Sequence, residues 1–322
     1  MDLGQRVWRV RSRRPAPAVR RAPGPRAARV SIRAFHPVGY HEVRESISMT
    51  TSAGGPRDPI AAVVGRDHAL VWVGLAGLTL GAWGYLLHLS RTMGASDAGM
   101  VGMAGMGPVV APWTPADVAF TAAMWATMMA GMMLPAAAPV ILLFAGVNRR
   151  RREQGGVAVP TTVFLLGYLV VWSGFSGGAA LVQWGLHAAA LLSPLMATAS
   201  PVLGGALLIA AGVYQLTPLK EVCLARCRSP LGWLMTEWRE GVGGAFRMGL
   251  GHGAHCLGCC WILMGLLFVT GVMNLLWVAV IAAFVLVEKV APAGVLVGRG
   301  AGVALIAAGL ALVGRAAGLG GP

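Results

Sequence analysis

The residue types best suited to bind metals or carry out thiol chemistry are concentrated between His252 and Cys260. Two of the seven histidines and three of the five cysteines fall within these nine positions. On an α-helix, residues three, four and seven positions apart share one face. That spacing puts four side chains on one stripe, with Cys260 at its edge: His252, His255, Cys256 and Cys259.

The chemistry that this stripe favours is soft-metal binding. The surrounding residues 246–271 are apolar enough to enter a membrane, where an imidazole is costly to bury without a partner. Thiolate sulfur and neutral imidazole together bind Zn²⁺ or Cu(I). Two alternatives stay open: a thiol reaction, and a packing stripe in which cysteine acts as a small hydrophobic residue. The glycines at 249, 251 and 253 indicate a helix that either starts late or is broken. If the regular helix begins near Gly251, the cluster lies in its first turns.

A second pair of thiols, Cys223 and Cys227, lies just past the fourth apolar segment. At a spacing of four residues the two share one helix face, and nearby cations such as Arg226 favour the thiolate. The segment Leu219–Trp238 is expected to form one helix at the membrane interface. The pair would then complete one metal site with the first cluster or form a second relay site. The alternative is a pair of ordinary surface thiols.

Methionine provides a third group of soft ligands, with 16 residues in the chain. One triplet falls in a predicted outer loop and another on one face of the second helix: Met100, Met103 and Met106, then Met124, Met128 and Met132. Thioethers prefer Cu(I), so the two groups would suit its capture and passage. For the helix group, which Met129 and Met133 adjoin, the alternative is packing, because methionine often fills apolar cores.

Two charged residues, Glu288 and Lys289, end the sixth apolar segment. They are either an ion pair at a helix end or, for Glu288, an intramembrane carboxylate that couples protons or binds a metal. Tyr168, Gln183 and His187 on the third helix are weaker candidates.

Composition indicates the elements that must position these residues. The 322 residues are 56% hydrophobic and 12% charged, with a mean hydropathy of +0.68, whereas soluble domains carry about 25% charge. This predicts an all-α, polytopic transmembrane bundle over residues 66–315, with a short tail at 316–322. A span needs about 20 apolar residues. About seven segments qualify: Ala69–Leu89, Ala116–Val147, Pro160–Leu181, Pro201–Leu216, Phe246–Val272, Leu275–Val290 and Gly294–Val313.

Residues 1–65 differ in character from the rest. Eleven arginines lie between Arg6 and Arg44, within a net charge of +14. We expect a basic, disordered tail, or an over-long gene start with the true start at Met49. Aromatic residues are not interleaved with the arginines, so no nucleic-acid partner is expected. The four arginines at 149–152 predict a cytoplasmic loop and a cytoplasmic N-terminus in the inner membrane.

Several of these segments together are similar to the motifs of a known family. They are Met124–Pro135, Gly212–Lys220 with Cys223 and Cys227, Gly251-His252 with Cys256–Met264, and Glu288-Lys289. In this order they resemble a bacterial family of predicted metal-binding integral membrane proteins, classified as a domain of unknown function. The resemblance covers about Ala69 to Val313 and implies a membrane protein with a metal site and no assigned reaction. The arginine-rich N-terminus departs from the family.

The favoured hypothesis is an inner-membrane protein that handles Cu(I), with Zn²⁺ as the alternative metal. Copper would be captured at the outer methionines, pass along the second helix and reach the inner cysteine and histidine site. The expected partners are the lipid bilayer, the metal ion and a metallochaperone or membrane complex. Two other functions stay open: an intramembrane metalloenzyme or thiol redox protein that reacts at Cys256 or Cys259, and an accessory subunit with a structural metal.

Overall fold

The computed structural model describes residues 59–101, 113–157, 159–191 and 200–318, including within the first range the side chains of residues 69–92. These residues form ten α-helices and no strand, which confirms the all-α prediction. The helices are α1 (Pro59–Val101), α2 (Pro115–Glu153), α3 (Thr161–Ala188), α4 (Pro201–Gln215), α5 (Pro218–Arg228), α6 (Pro230–Thr236), α7 (Gly241–Gly265), α8 (Leu267–Thr270), α9 (Leu275–Val290) and α10 (Gly294–Ala316).

Five helical segments of the described chain are long and apolar enough to cross a membrane. They are Ala69–Thr92 within α1, then α2, α3, the segment Gly241–Thr270 and α10. A sixth span is possible if α4 and α5, which meet at a bend of 63°, cross together. The helix α9 has only 16 residues, fewer than the roughly 20 that a perpendicular span needs. The predicted count of seven spans is therefore not confirmed.

Pro230 divides the segment Leu219–Trp238, which the sequence predicts as one interfacial helix. Pro218 opens α5 behind the N-cap Thr217, whose side chain accepts a hydrogen bond from the Lys220 amide. Pro230 then opens α6 directly after Ser229. Proline suits the first turn of a helix but disfavours helical geometry in the residue before it. Two short helices consequently replace the single one, and that prediction is wrong.

The start of α2 is set by the N-cap Thr114 and by Asp117 in its first turn. The Thr114 hydroxyl accepts from the Asp117 amide, and the Asp117 carboxylate accepts from the Thr114 amide at 2.8 Å. This reciprocal pair is a capping box, which satisfies backbone donors that a helix start leaves open. It fixes where the methionine-rich helix begins.

Close contact between α3 and α7 depends on two glycines. A Cβ at Gly167 would lie 2.9 Å from the Leu250 amide nitrogen, and one at Gly249 would lie 3.0 Å from the Phe164 carbonyl carbon. Only residues without side chains allow two backbones to approach this closely. The glycines therefore serve packing between the helices. They do not delay α7, which begins at Gly241, so a late start near Gly251 is wrong.

Candidate metal centre

The helix α7 carries a stripe of sulfur and imidazole side chains at every fourth position. Its members are Met248, His252, Cys256, Cys260 and Met264, each at most 3% exposed. Residues four apart are neighbours on a helix surface, so each member adjoins the next. The stripe extends the predicted cluster by one methionine at each end. His252, the first residue of the predicted cluster, lies about three turns after the start of α7 at Gly241.

Four of the five cysteines come together at this stripe, and two of them, Cys256 and Cys260, belong to it. Cys227, from α5, interacts with the thiols of Cys256 and Cys259. The thiols of Cys259 and Cys260 both donate to the Cys256 carbonyl oxygen, at 3.1 and 2.9 Å. We refer to Cys227, Cys256, Cys259 and Cys260 as the thiol cluster. All four are buried.

Three other helices bring a side chain to the thiol cluster. From α2, the Met133 sulfur lies 3.9 Å from the Cys260 sulfur. From α3, the Tyr168 hydroxyl lies 3.1 Å from the Cys256 sulfur. From α9, the Lys289 ammonium donates to the same sulfur at 2.9 Å. Five helices therefore meet at one point, and a buried cation faces a buried thiol there.

The two predicted histidine ligands have different surroundings. His252 is buried beside the rings of Phe164, Tyr168 and Trp233, with centroid distances of 6.3, 5.8 and 5.3 Å. His255 is half-buried, and its Nδ1 lies 2.6 Å from the Gly251 carbonyl oxygen. A carbonyl can only accept, so Nδ1 carries the hydrogen and the neutral ring keeps Nε2 free as a ligand.

The remaining predicted cysteine, Cys223, lies outside the thiol cluster. It is half-buried on α5. Its sulfur packs against Gly258, where an added Cβ would be 2.8 Å away. Cys223 and Cys227 therefore do not form a separate pair: one joins the cluster and the other contacts the α7 backbone.

The predicted pair Glu288 and Lys289 is divided between two sites. The Glu288 carboxylate pairs with the Lys220 ammonium at 2.6 Å and accepts from the Gln215 amide at 2.9 Å. Lys289 instead faces Cys256, as described above. Arg228, which is half-buried, donates to the Glu288 carbonyl oxygen. The end of α9 thus links a buried ion pair to the thiol cluster.

The methionines predicted on α2 are core residues. Met124, Met128 and Met132 are at most 2% exposed and belong to the hydrophobic core. Nearby, the Trp125 indole donates to the Gln183 side-chain oxygen at 2.7 Å. Met103 and Met106 of the predicted outer triplet lie outside the described residues. The backbone of Met100 falls in α1, but its side chain is outside the described part.

Within the described ranges, no three His, Cys, Asp or Glu side chains are arranged so that they could hold a metal ion. The thiols of the cluster are instead engaged in hydrogen bonds. Cys259 and Cys260 direct their thiols at a carbonyl, and the Cys256 sulfur is engaged by Lys289 and Tyr168. Metal binding here would exchange these hydrogen bonds for metal bonds. The donor set, four thiols beside a thioether, suits a soft metal.

Sequence reasoning missed two residues at this centre. Met248 could have been found, since it precedes His252 by the same four residues that separate His252 from Cys256. The second is Lys220: a lysine is expected at the surface, but this one is 2% exposed. No local pattern indicates a buried lysine, whose partner is 68 positions away.

Comparison with known families gives one match. The model of the family PpoB2, described as a copper chaperone, matches residues 122–312, more than half of the chain. The match includes the thiol cluster and each side chain that contacts it. The classification as a domain of unknown function is not confirmed. No curated protein and no solved structure matches the chain significantly.

Proposed function

The chain belongs to the PpoB2 family of copper chaperones, and from this premise we propose that it is an integral membrane protein that carries Cu(I) on its thiol cluster. Copper is the cargo, held by cluster sulfurs with the Met133 thioether beside them. An acceptor protein, either a soluble metallochaperone or a membrane complex, would then receive it. The proposal refines the family description by naming the oxidation state and the ligands.

The convergence of four thiols from α5 and α7 is the observation that carries this proposal. Cysteine can fill an apolar core as a small hydrophobic residue, but that role gives no reason for a lysine in the same place. Lys289 is 7% exposed and donates to the Cys256 sulfur. A buried cation is costly unless a negative charge compensates it. A cluster that holds thiolate supplies that charge.

The ligand types favour Cu(I) over other metals. Thiolate and thioether sulfur select Cu(I), while carboxylates suit harder ions. Glu288, the nearest buried carboxylate along α9, is already paired with Lys220. Zn²⁺ remains the alternative metal, because four thiolates are also a structural zinc set.

The helices support placement in a membrane. Five segments can each cross a bilayer, and exposed leucines and valines cover their outer faces. We propose the inner membrane with a cytoplasmic N-terminus, because arginines 149–152 gather at the end of α2. The end of α2 and the end of α9 would then lie on the cytoplasmic side.

A second candidate function, thiol redox chemistry, is favoured by one observation. Lys289 beside Cys256 would stabilise a thiolate, which is the nucleophile in disulfide exchange. The thiol cluster is buried, however, and Cys256 is 0% exposed. Redox chemistry would therefore need an opening that copper transfer between neighbouring ligands does not.

The test is copper loading of the purified full chain in detergent, without oxygen. We expect stoichiometric Cu(I), measured by mass spectrometry of bound metals and by competition with a Cu(I)-specific chelator. The variant Cys256→Ser/Cys259→Ser should lose it. Cys223→Ser is the matched control, since it removes a thiol from the same region but outside the cluster, and it should keep copper.

Three other outcomes would contradict the proposal. Equal copper in the double variant and the control would move the site elsewhere. Zinc that is lost with the cluster would favour a structural site. A metal-free protein in which Cys256 is alkylated rapidly would favour redox chemistry.

A further inference from the structure

A cavity of about 390 Å³ lies beside the first half of α7. Arg247, Met248 and His255 line it from α7, and Arg239 lines it from the segment just before that helix. The volume is within the range of small-molecule sites, about 300–1,000 Å³. The cavity therefore suits a small ligand.

The charge of this cavity is suited to an anion. Arg239 and Arg247 are both exposed, and neither has a carboxylate partner among the described residues. The carboxylate that lines the cavity, Glu237, is paired with Arg226 at 3.8 Å. Guanidinium groups form their strongest hydrogen bonds with carboxylates and phosphates. Two such groups are available here.

A buried donor in the cavity wall also lacks a partner. Trp233 is 5% exposed, and its indole Nε1 has no hydrogen-bond acceptor within the described part of the chain. Buried donors are rarely left without an acceptor, because the loss of hydration is costly. The same ring contacts His252, with ring centroids 5.3 Å apart, so Trp233 touches both the cavity and the stripe on α7.

The cavity also connects to the thiol cluster through soft ligands. Met248 lines the cavity, His252 follows it by four residues, and Cys256 follows by four more. His255 lines the cavity as well, and its Nδ1–H bond to Gly251 leaves Nε2 free as a ligand. Copper could pass along α7 between adjacent ligands, without crossing an apolar gap.

We propose that this cavity binds a small anionic thiol carrying Cu(I) and is where copper is loaded. Arg239 and Arg247 hold the carrier's carboxylates while Met248 and His255 take the metal. The inference depends on the proposed function, because it needs the thiol cluster as acceptor. Copper stays Cu(I) throughout. Each Cu–S bond to the carrier that breaks is replaced by a bond to a protein ligand, and the proton of the accepting thiol leaves with the carrier thiolate.

The experiment compares two carriers on the full chain in detergent, without oxygen and at low ionic strength. In both sources Cu(I) is bound by thiolates, but glutathione adds ionised carboxylates for the two arginines to bind, whereas dithiothreitol has no carboxylate. We expect Arg239→Gln/Arg247→Gln to slow loading from glutathione by about tenfold or more, as for electrostatically guided association. Loading from dithiothreitol should change less than about twofold, and the final copper content should be unchanged. S-methylglutathione, which keeps the charges but cannot bind copper as a thiolate, should slow glutathione loading in the wild type only.

A charge-matched control is Arg150→Gln/Arg315→Gln, which removes two exposed arginines away from the cavity. It should load from both carriers like the wild type. The inference is overturned if the cavity variant slows both carriers equally or neither, or if the control behaves like it. Failure of the wild type to load from either carrier would instead overturn the proposed function, so the two failures are distinguishable.

Discussion

One buried ion pair joins the bend between α4 and α5 to the end of α9, and its removal gives the sharpest stability prediction. Lys220 and Glu288 are 2.6 Å apart, each with a side chain 2% exposed. Removing one partner of a buried pair leaves an uncompensated charge and costs about 3–5 kcal/mol, whereas apolar replacement of both is often neutral. We expect Lys220→Met and Glu288→Leu each to lower the free energy of unfolding by about 3–5 kcal/mol.

The double variant should cost less than either single change. With both charges gone, neither ion of the pair is left buried without its partner. The Gln215 amide nitrogen keeps the Gly298 carbonyl as an acceptor at 3.4 Å, although the Gln215 oxygen loses the Lys220 donor. The coupling energy of the double-mutant cycle should therefore be large and favourable. The assay is equilibrium unfolding of the full chain in mixed detergent micelles, followed by tryptophan fluorescence.

A neighbouring pair provides the control. Glu221 and Arg299 are 2.5 Å apart but 41% and 55% exposed, and exposed pairs contribute about 0–1 kcal/mol. The same cycle with Glu221→Gln and Arg299→Gln should give a small coupling. Equal coupling in the two cycles, or a cost below about 1 kcal/mol for Glu288→Leu, would refute the reasoning that desolvation sets the difference.

Two further predictions concern helix packing and the thioether at the cluster. Gly167→Ala would place a Cβ 2.9 Å from the Leu250 amide nitrogen, so we expect the free energy of unfolding to fall by about 1–3 kcal/mol in the same assay. Gly174→Ala is the control, because a Cβ there meets open space and should not destabilise the protein. Equal effects of the two changes would contradict the close-packing argument. Met133→Leu removes the thioether 3.9 Å from the thiol cluster and should weaken Cu(I) retention against a chelator by about tenfold, while Met128→Leu, a core methionine, should not. Similar copper affinity in the two variants would exclude Met133 as a ligand.

Some element boundaries could be read from the sequence because they depend on local signals. The predicted segment Leu275–Val290 has the bounds of α9, and Thr114 with Asp117 forms the capping box that begins α2. The number of spans could not be obtained in the same way. It depends on the 63° bend at the proline that opens α5 and on the length of α9, only 16 residues. A hydropathy pattern shows neither a bend nor the exact end of a helix.

The site was predictable where it lies on one helix and unpredictable where helices meet. Periodicity relates His252 to Cys256, because residues four apart adjoin each other. It cannot show that Met133, 127 positions before Cys260, reaches the same thiols. For Glu288 and Lys289, the sequence suggests a contact that the structure does not contain. Consecutive residues do not face each other on a helix, so they contact different partners, and their adjacency in the sequence says little about an ion pair.

The charges buried at the end of α9 favour monovalent copper at the thiol cluster. Lys220 and Glu288 cancel each other, which leaves the Lys289 ammonium to be balanced by the cluster it contacts. Two thiolates around Cu(I) carry a net charge of about −1 and would neutralise that ammonium, whereas four thiolates around Zn²⁺ carry about −2 and would leave a negative charge buried. Because uncompensated charge is expensive in an apolar interior, one lysine suits the copper complex better than the zinc complex. Under the proposed function, a single thiolate at Cys256 would balance Lys289 in the metal-free cluster, and copper binding would then require one more thiol to lose its proton.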